Sequence, residues 1–150
     1  MSRALRVIAR AVAALGLGAI AALHAVWVTG SSWPAQDRKR LGEAVVGQTD
    51  VQPAPLSTAV VAAGAAGAGL VVAGAFGDGR LQRLGLRGMG AIMLLRAAFG
   101  GEAALAVLGL PPAGDLFRRL DARYYRPFAA VLGLALWIAT LGRRRRPDRG

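Results

Sequence analysis

Four apolar stretches run through the chain, each closed by arginines. No charged residue stands between Arg10 and Asp37, and none between Asp50 and Asp78, so two stretches exceed the roughly 20 residues that a membrane-spanning helix requires. A third, about 88–109, carries Arg96 and Glu102 within it, and a fourth has 16 uncharged residues between Arg126 and Arg143. The fourth reaches spanning length with Tyr124 and Tyr125 at the headgroup level and its flanking arginines snorkelling. Proline and glycine gather between the stretches, at Trp33-Pro34, Gln52-Pro53-Ala54-Pro55 and Pro111-Pro112, which marks connections. Backbone groups in hydrocarbon must be satisfied within their own segment, so the stretches read as helices. The pattern therefore predicts an all-α fold: an antiparallel bundle of four transmembrane helices over about 11–29, 56–76, 88–109 and 124–142, in one domain over 1–150. Within the first external connection, Gln36 to Val46 reads as a short interfacial helix with Lys39 and Arg40 outward.

Charge orients this bundle. The formal net charge is +11, which ordinarily raises nucleic acid as a partner, but its distribution argues for a membrane. Arg3, Arg6, Arg10, Arg80, Arg83, Arg87, Arg143 to Arg146 and Arg149 fall on one side. Seven cations (Arg38, Lys39, Arg40, Arg118, Arg119, Arg123, Arg126) fall on the other. The cation-rich side faces the cytoplasm, so both termini are expected there. The basic tail 143–150 is expected against anionic lipid headgroups, with Arg143, Arg144, Arg145 and Arg146 each contributing about 1 kcal/mol. Arg3, Arg6 and Arg10 ahead of an Ala/Leu/Gly run also resemble a secretory signal. That run continues through Val26, Trp27 and Val28, beyond the usual signal core, so it reads as a retained first helix.

Candidate chemistry is sparse. Cysteine is absent and His24 is the single histidine, which excludes disulfides, thiolate nucleophiles and zinc-thiolate sites. No cofactor, metal or catalytic residue is assigned. Ser31 and Ser32 lie near His24, but no nucleophile elbow accompanies them. The second stretch carries small residues, Ala63, Gly64, Gly67, Ala68 and Gly69, that let another helix approach closely, either within the bundle or in a homo-oligomer; Gly16 and Gly18 admit the same two readings.

The buried ionisable groups are more telling, since an arginine near the bilayer centre costs roughly 2.5–3.5 kcal/mol on insertion scales. Arg96 falls about 3 Å to the cytoplasmic side of the middle of its stretch and Glu102 about 6 Å to the outer side, at the 1.5 Å helical rise. Six residues apart, the two cannot pair with each other. His24 shares the depth of Glu102, so a His24–Glu102 contact is allowed. Arg96 serves either packing and register or ligand recognition, and Glu102 is either a lipid-interface or Gly100-Gly101 hinge residue or a functional acid held neutral in an apolar setting.

The stretch His24-Ala25-Val26-Trp27 with Gly30 and Trp33-Pro34, the step Leu95-Arg96-Ala97, and the run Leu120-Asp121-Ala122-Arg123-Tyr124-Tyr125-Arg126-Pro127 together resemble a family of small bacterial four-helix membrane proteins known only as a domain of unknown function. The most specific part is the Leu-Asp-x-Arg-x-Tyr-x-Pro run. The resemblance implies a multi-pass location in the bacterial cytoplasmic membrane and carries no assigned reaction. Where that family often continues its proline with Leu-Cys, this chain has Phe128-Ala129. Pro127 suits the first turn of the last helix, and Asp121 either pairs with Arg123 or Arg126 in an exposed arrangement worth little or reaches Arg96 if its loop dips inward.

His24, Trp27, Trp33, Glu102, Asp121, Tyr124 and Tyr125 thus fall in the outer half, where they either form an ordinary interfacial belt with structural pairs or, with Arg96, line one outward-opening polar cavity. Two functions follow: a non-enzymatic component that packs against a membrane partner or a second copy, or a small-molecule or lipid-binding unit, such as a transporter or membrane enzyme, using Arg96, Glu102 and His24 in that cavity. Neither an internal duplication nor a broken spanning helix is legible, which lowers the transporter option.

Overall fold

The computed structural model describes residues 2–51, 54–77 and 79–141, and all regular structure among them is helical. The tail 143–150, with Arg143 to Arg146, lies outside the described residues. Helix α1 (Arg3–Val28) opens on Ser2, whose Oγ accepts the Leu5 N–H at 3.2 Å. Helix α2 (Arg38–Val45) opens on Asp37, whose carboxylate accepts the Arg40 N–H at 2.8 Å. Each cap satisfies a donor that the first helical turn leaves orphaned. Helix α3 (Pro55–Ala73) starts on a proline, which has no N–H to leave unsatisfied there. Helices α4 (Arg80–Val107), α5 (Asp115–Leu120) and α6 (Arg126–Thr140) complete the chain, with a π turn at Asp121–Tyr125 between the last two.

Helices α1, α3 and α4 are each long and apolar enough to cross a membrane, and only 17–22% of their apolar windows is buried within the protein. Leu15, Leu70, Leu81 and Phe99 all point outward. Water would not tolerate so much apolar surface, and lipid asks for it. Helix α2 falls inside the range expected for an interfacial helix, with Lys39 and Arg40 exposed and Leu41 and Gly42 buried.

The last segment departs from expectation. It begins at Asp115 rather than near residue 124, because α5, the π turn and α6 follow one another without a break. Pro127 stands in the first turn of α6, as expected, but with α5 and the π turn directly ahead of it the helical path around it is continuous. A proline there has no N–H for the carbonyl four residues back and its ring crowds that carbonyl. The wider π turn immediately ahead of it relieves both problems.

Packing is antiparallel between neighbours. Arg87 meets Thr140 at one end of the α4–α6 pair and Arg126 meets Ala97 at the other. Along α1 and α3, Gly69 approaches Leu17 and Ala14, whereas Thr58 and Val61 lie beside Trp27 and His24. Helix α6 also packs on α1, while α3 and α4 barely touch. The helices thus form an open row in the order α3, α1, α6, α4. Its main core is built from Ala9, Ala13 and Leu17 of α1, Val72 of α3 and Leu132 and Leu136 of α6. The small-residue face of α3 is divided: Ala65 and Gly69 are buried toward α1, while Gly64 and Gly67 have open space beside them.

The tightest crossing lies between α4 and α6. A Cβ added at Gly133 would fall 2.8 Å from Leu94 Cγ and 2.9 Å from the Gly90 carbonyl oxygen, which is backbone and cannot swing away. Gly133→Ala is expected to destabilise the protein by about 1–3 kcal/mol through overpacking. Gly64→Ala, with no atom within 4 Å of its new methyl, is expected to be neutral or slightly stabilising through helix propensity. Thermal unfolding of both variants in detergent checks the contrast.

A smaller outer layer closes one end. Gln48 Nε2 donates to the carbonyls of Pro111 and Pro112 at 2.9 and 3.0 Å, and the Gly114 N–H donates to the Gly47 carbonyl at 2.9 Å. These bonds tie the turn after α2 to the connection before α5. Beneath them Leu105, Ala113 and Phe117 form a second apolar cluster.

Candidate functional site

Helix α4 is broken at Gly100, whose φ of 75° and ψ of 177° lie in a region open essentially to glycine alone. A break of this kind frees carbonyls on one side and N–H groups on the other, the two ends carrying opposite partial charge. The π turn of the last segment faces this break with the matching charges. Arg126 donates through Nε to the Ala97 carbonyl and through Nη2 to the Ala98 carbonyl, both at 2.8 Å. Asp121 Oδ2 accepts the Gly101 N–H at 3.0 Å, and Asp121 Oδ1 is ion-paired with Arg96 Nη2.

The pair is well withdrawn from solvent, Asp121 leaving 9% of its side chain exposed and Arg96 25%. Arg96 Nη1 is buried with no hydrogen-bond partner among the described residues. Tyr125, one turn on from Asp121, donates its hydroxyl to the Ala44 carbonyl at 3.0 Å and tilts its ring against Phe117. The π turn thereby positions Asp121, Tyr125 and Arg126 together, linking the broken helix to α2. At about 100° per residue an α-helix would set Tyr125 about 40° and Arg126 about 140° round from Asp121; the extra residue per turn narrows that spread.

A second feature lies on the other side of the outer layer. His24, Trp27, Ser57 and Thr58, with valines from α2, its following turn and α3, line a groove of about 380 Å³. The rings of His24 and Trp27 meet at 4.8 Å between centroids. His24 Nδ1 stands 2.8 Å from the Ile20 carbonyl, and Trp27 Nε1 donates to the Trp33 carbonyl at 2.7 Å. Ser57 Oγ and Thr58 Oγ1 each donate to the Ala54 carbonyl at 2.9 Å. Neither Ser31 nor Ser32 bonds His24: Ser31 Oγ accepts the Trp33 N–H and Ser32 Oγ donates to the Ala35 carbonyl.

The eight residues singled out from sequence fall into separate places. Arg96, Asp121 and Tyr125 meet at the broken helix. His24 and Trp27 line the groove, where the Trp33 backbone holds the indole of Trp27 while its own ring is 65% exposed. Glu102 pairs with Arg118 at 3.0 Å on the exposed surface, so the His24–Glu102 contact is not formed. Tyr124 is exposed, with the Arg123 guanidinium 5.7 Å above its ring. The Arg96–Asp121 contact arises without any loop dipping inward, since Asp121 is part of a helical turn. Sequence reasoning missed the role of Arg126, which reads as one more interfacial cation, and took Gly100-Gly101 for a hinge without reading a break in the helix there. It also missed Arg87, which donates to Thr140 Oγ1 and its carbonyl, both at 3.2 Å. The adjacent Gly100-Gly101 pair was the available signal for the break, combined with Pro127 in the segment that packs against it.

The family model described as "Protein of unknown function (DUF3995)" matches residues 17–136, a range that includes the whole of both features. No curated protein and no solved structure matches the chain.

Proposed function

The chain belongs to this family of unknown function, and from that premise we propose that it is a non-enzymatic integral membrane component of the bacterial cytoplasmic membrane. In this reading four segments span the bilayer, the last being α6 with part of α5 and the π turn, and both termini are cytoplasmic. Its ionisable groups at depth serve architecture. The observation that carries this reading is how those groups are spent: Asp121 on Arg96 and the Gly101 N–H, and Arg126 on the carbonyls of the same break. A carboxylate so engaged has little capacity left for a substrate proton. Anionic headgroups are the proposed partners of Arg143 to Arg146. The open Gly64/Gly67 face of α3 is the proposed contact for a membrane partner or a second copy.

The depth of the charges fits the same reading. Arg87 and Arg126 bracket α6, whose 15 residues span about 22 Å at the helical rise. The Arg96–Asp121 pair then lies toward the outer boundary of the apolar layer, where a charge costs less than at the centre. The groove beside His24 supports a second reading, small-molecule or lipid binding, because its volume and largely apolar lining are those of a ligand site.

The absence of cysteine makes the topology directly testable. Gln36→Cys and Ala75→Cys place single thiols in the first and second connections. A membrane-impermeant maleimide is expected to label Gln36→Cys in intact cells and Ala75→Cys only after permeabilisation. The reverse pattern would overturn the proposed orientation, and labelling of both in intact cells would overturn the spanning arrangement.

A further inference from the structure

From the hydrogen-bond inventory of the groove between α1, α2 and α3 we infer that it is a binding site for a neutral amphiphile bearing a hydroxyl group on a single short alkyl chain. This rests on the second reading above and adds the chemical class of the ligand. A carbonyl can only accept, so the 2.8 Å approach of His24 Nδ1 to the Ile20 oxygen puts the ring proton on Nδ1. In the neutral ring Nε2 is then an acceptor. The hydroxyls of Ser57 and Thr58 both approach the Ala54 carbonyl, which also accepts the Thr58 N–H, and each hydroxyl oxygen keeps lone pairs with which to accept a further bond. The indole N–H of Trp27 is spent on Trp33. The polar groups of the groove are therefore acceptors in want of a donor.

This selects among headgroups. A carboxylate or phosphate offers acceptors to acceptors and gains nothing. An ammonium offers donors, but no carboxylate lines the groove to balance its charge, and on the neighbouring segment Asp37, Glu43 and Asp50 are matched by Arg38, Lys39 and Arg40. A hydroxyl donates without charge. The remaining lining is valine, alanine and the face of Trp27, suited to an alkyl chain. At roughly 30 Å³ per non-hydrogen atom, the share of a water molecule in its liquid, the volume of about 380 Å³ holds about a dozen such atoms. A medium-chain alcohol fits; a two-chain phospholipid does not.

The test uses the full chain in phosphatidylcholine nanodiscs, with Trp33→Phe and Trp137→Phe leaving Trp27 as the only indole. The Trp27 bond to the Trp33 carbonyl survives this change because it goes to backbone. Bromine quenches indole fluorescence on contact, so 11-bromo-1-undecanol, 1-bromoundecane and 11-bromoundecanoic acid are titrated in parallel. Saturable quenching by the alcohol is expected, about tenfold tighter than by the alkane or the acid. Thr58→Val and His24→Phe are each expected to weaken the alcohol while leaving the alkane unchanged, and the comparison of the three probes on the unaltered groove does not depend on either variant folding. Saturable quenching with equal affinity for alcohol and alkane, or tightest for the acid, would overturn the ligand class and leave a binding groove standing. Quenching by all three that rises without saturation would overturn class and groove together.

Discussion

Arg96→Leu is expected to lower the stability of the detergent-solubilised protein by about 3 kcal/mol, at the low end of the range for breaking a buried ion pair because the Arg96 side chain keeps a quarter of its surface exposed. The loss comes less from the bond removed than from the charge left behind. Asp121 would retain the Gly101 N–H but face an apolar surrounding with an uncompensated negative charge. Asp121→Leu should cost at least as much, since it strands Arg96 and also orphans the Gly101 N–H. The double variant is expected to recover part of the loss and settle about 1–2 kcal/mol below the parent, the residue being the unsatisfied Gly101 donor. Thermal melts of the four proteins give the coupling as a double-mutant cycle. Strict additivity, or an Arg96→Leu variant as stable as the parent, would remove the architectural role and return the pair to ligand recognition.

What made this pair legible from sequence, and what concealed its setting, can be argued residue by residue. Arg96 is conspicuous because lipid makes any charge at depth exceptional. Asp121 is the nearest acid on a facing segment, which placed the two within reach even though a loop was expected to carry Asp121 inward. The long helices α1 and α3 follow from uninterrupted apolar runs, and α2 from its charged outer face and cap. The break at Gly100 was legible only in part: Gly100-Gly101 is the one Gly-Gly pair in the sequence and marks a hinge, but nothing local says that residue 100 leaves the helix. Its geometry is dictated by what faces it. Only when the π turn presents Arg126 to the freed carbonyls and Asp121 to the freed N–H does the interruption become tolerable in a dry setting. That turn depends in its own right on Pro127, which as a sequence signal pointed to a helix start. Two local signals, each ambiguous alone, take their meaning from a contact between segments about 20–30 residues apart. The division of the outer residues between groove and break has the same origin: depth along a helix is readable from the 1.5 Å rise, whereas which helix lies beside which is not.

Gly100→Ala follows from that dependence and is the second large effect expected. At φ 75° and ψ 177° an alanine is strained by about 1–3 kcal/mol wherever it stands. Here its Cβ would also fall 3.0 Å from Asp121 Oδ2 and 3.7 Å from Arg126 Cδ, the two side chains that satisfy the break. The chain's cheapest response is to make residue 100 helical, which draws the Ala97 and Ala98 carbonyls back into the α4 ladder and away from Arg126. The Gly101 N–H leaves Asp121 in the same movement. The expected loss is therefore above the strain alone, about 3 kcal/mol or more, with the outer end of α4 released from the π turn. Gly109→Ala supplies a reference for a positive-φ glycine that no side chain faces, since Gly109 has φ 67° and no atom within 4 Å of its missing Cβ. Hydrogen exchange in nanodiscs should show faster exchange at residues 101–107 in Gly100→Ala and not in Gly109→Ala. Equal losses in the two variants, with unchanged exchange around Gly101, would mean that the break stands by its own backbone preference, and that Arg126 and Asp121 merely accompany it.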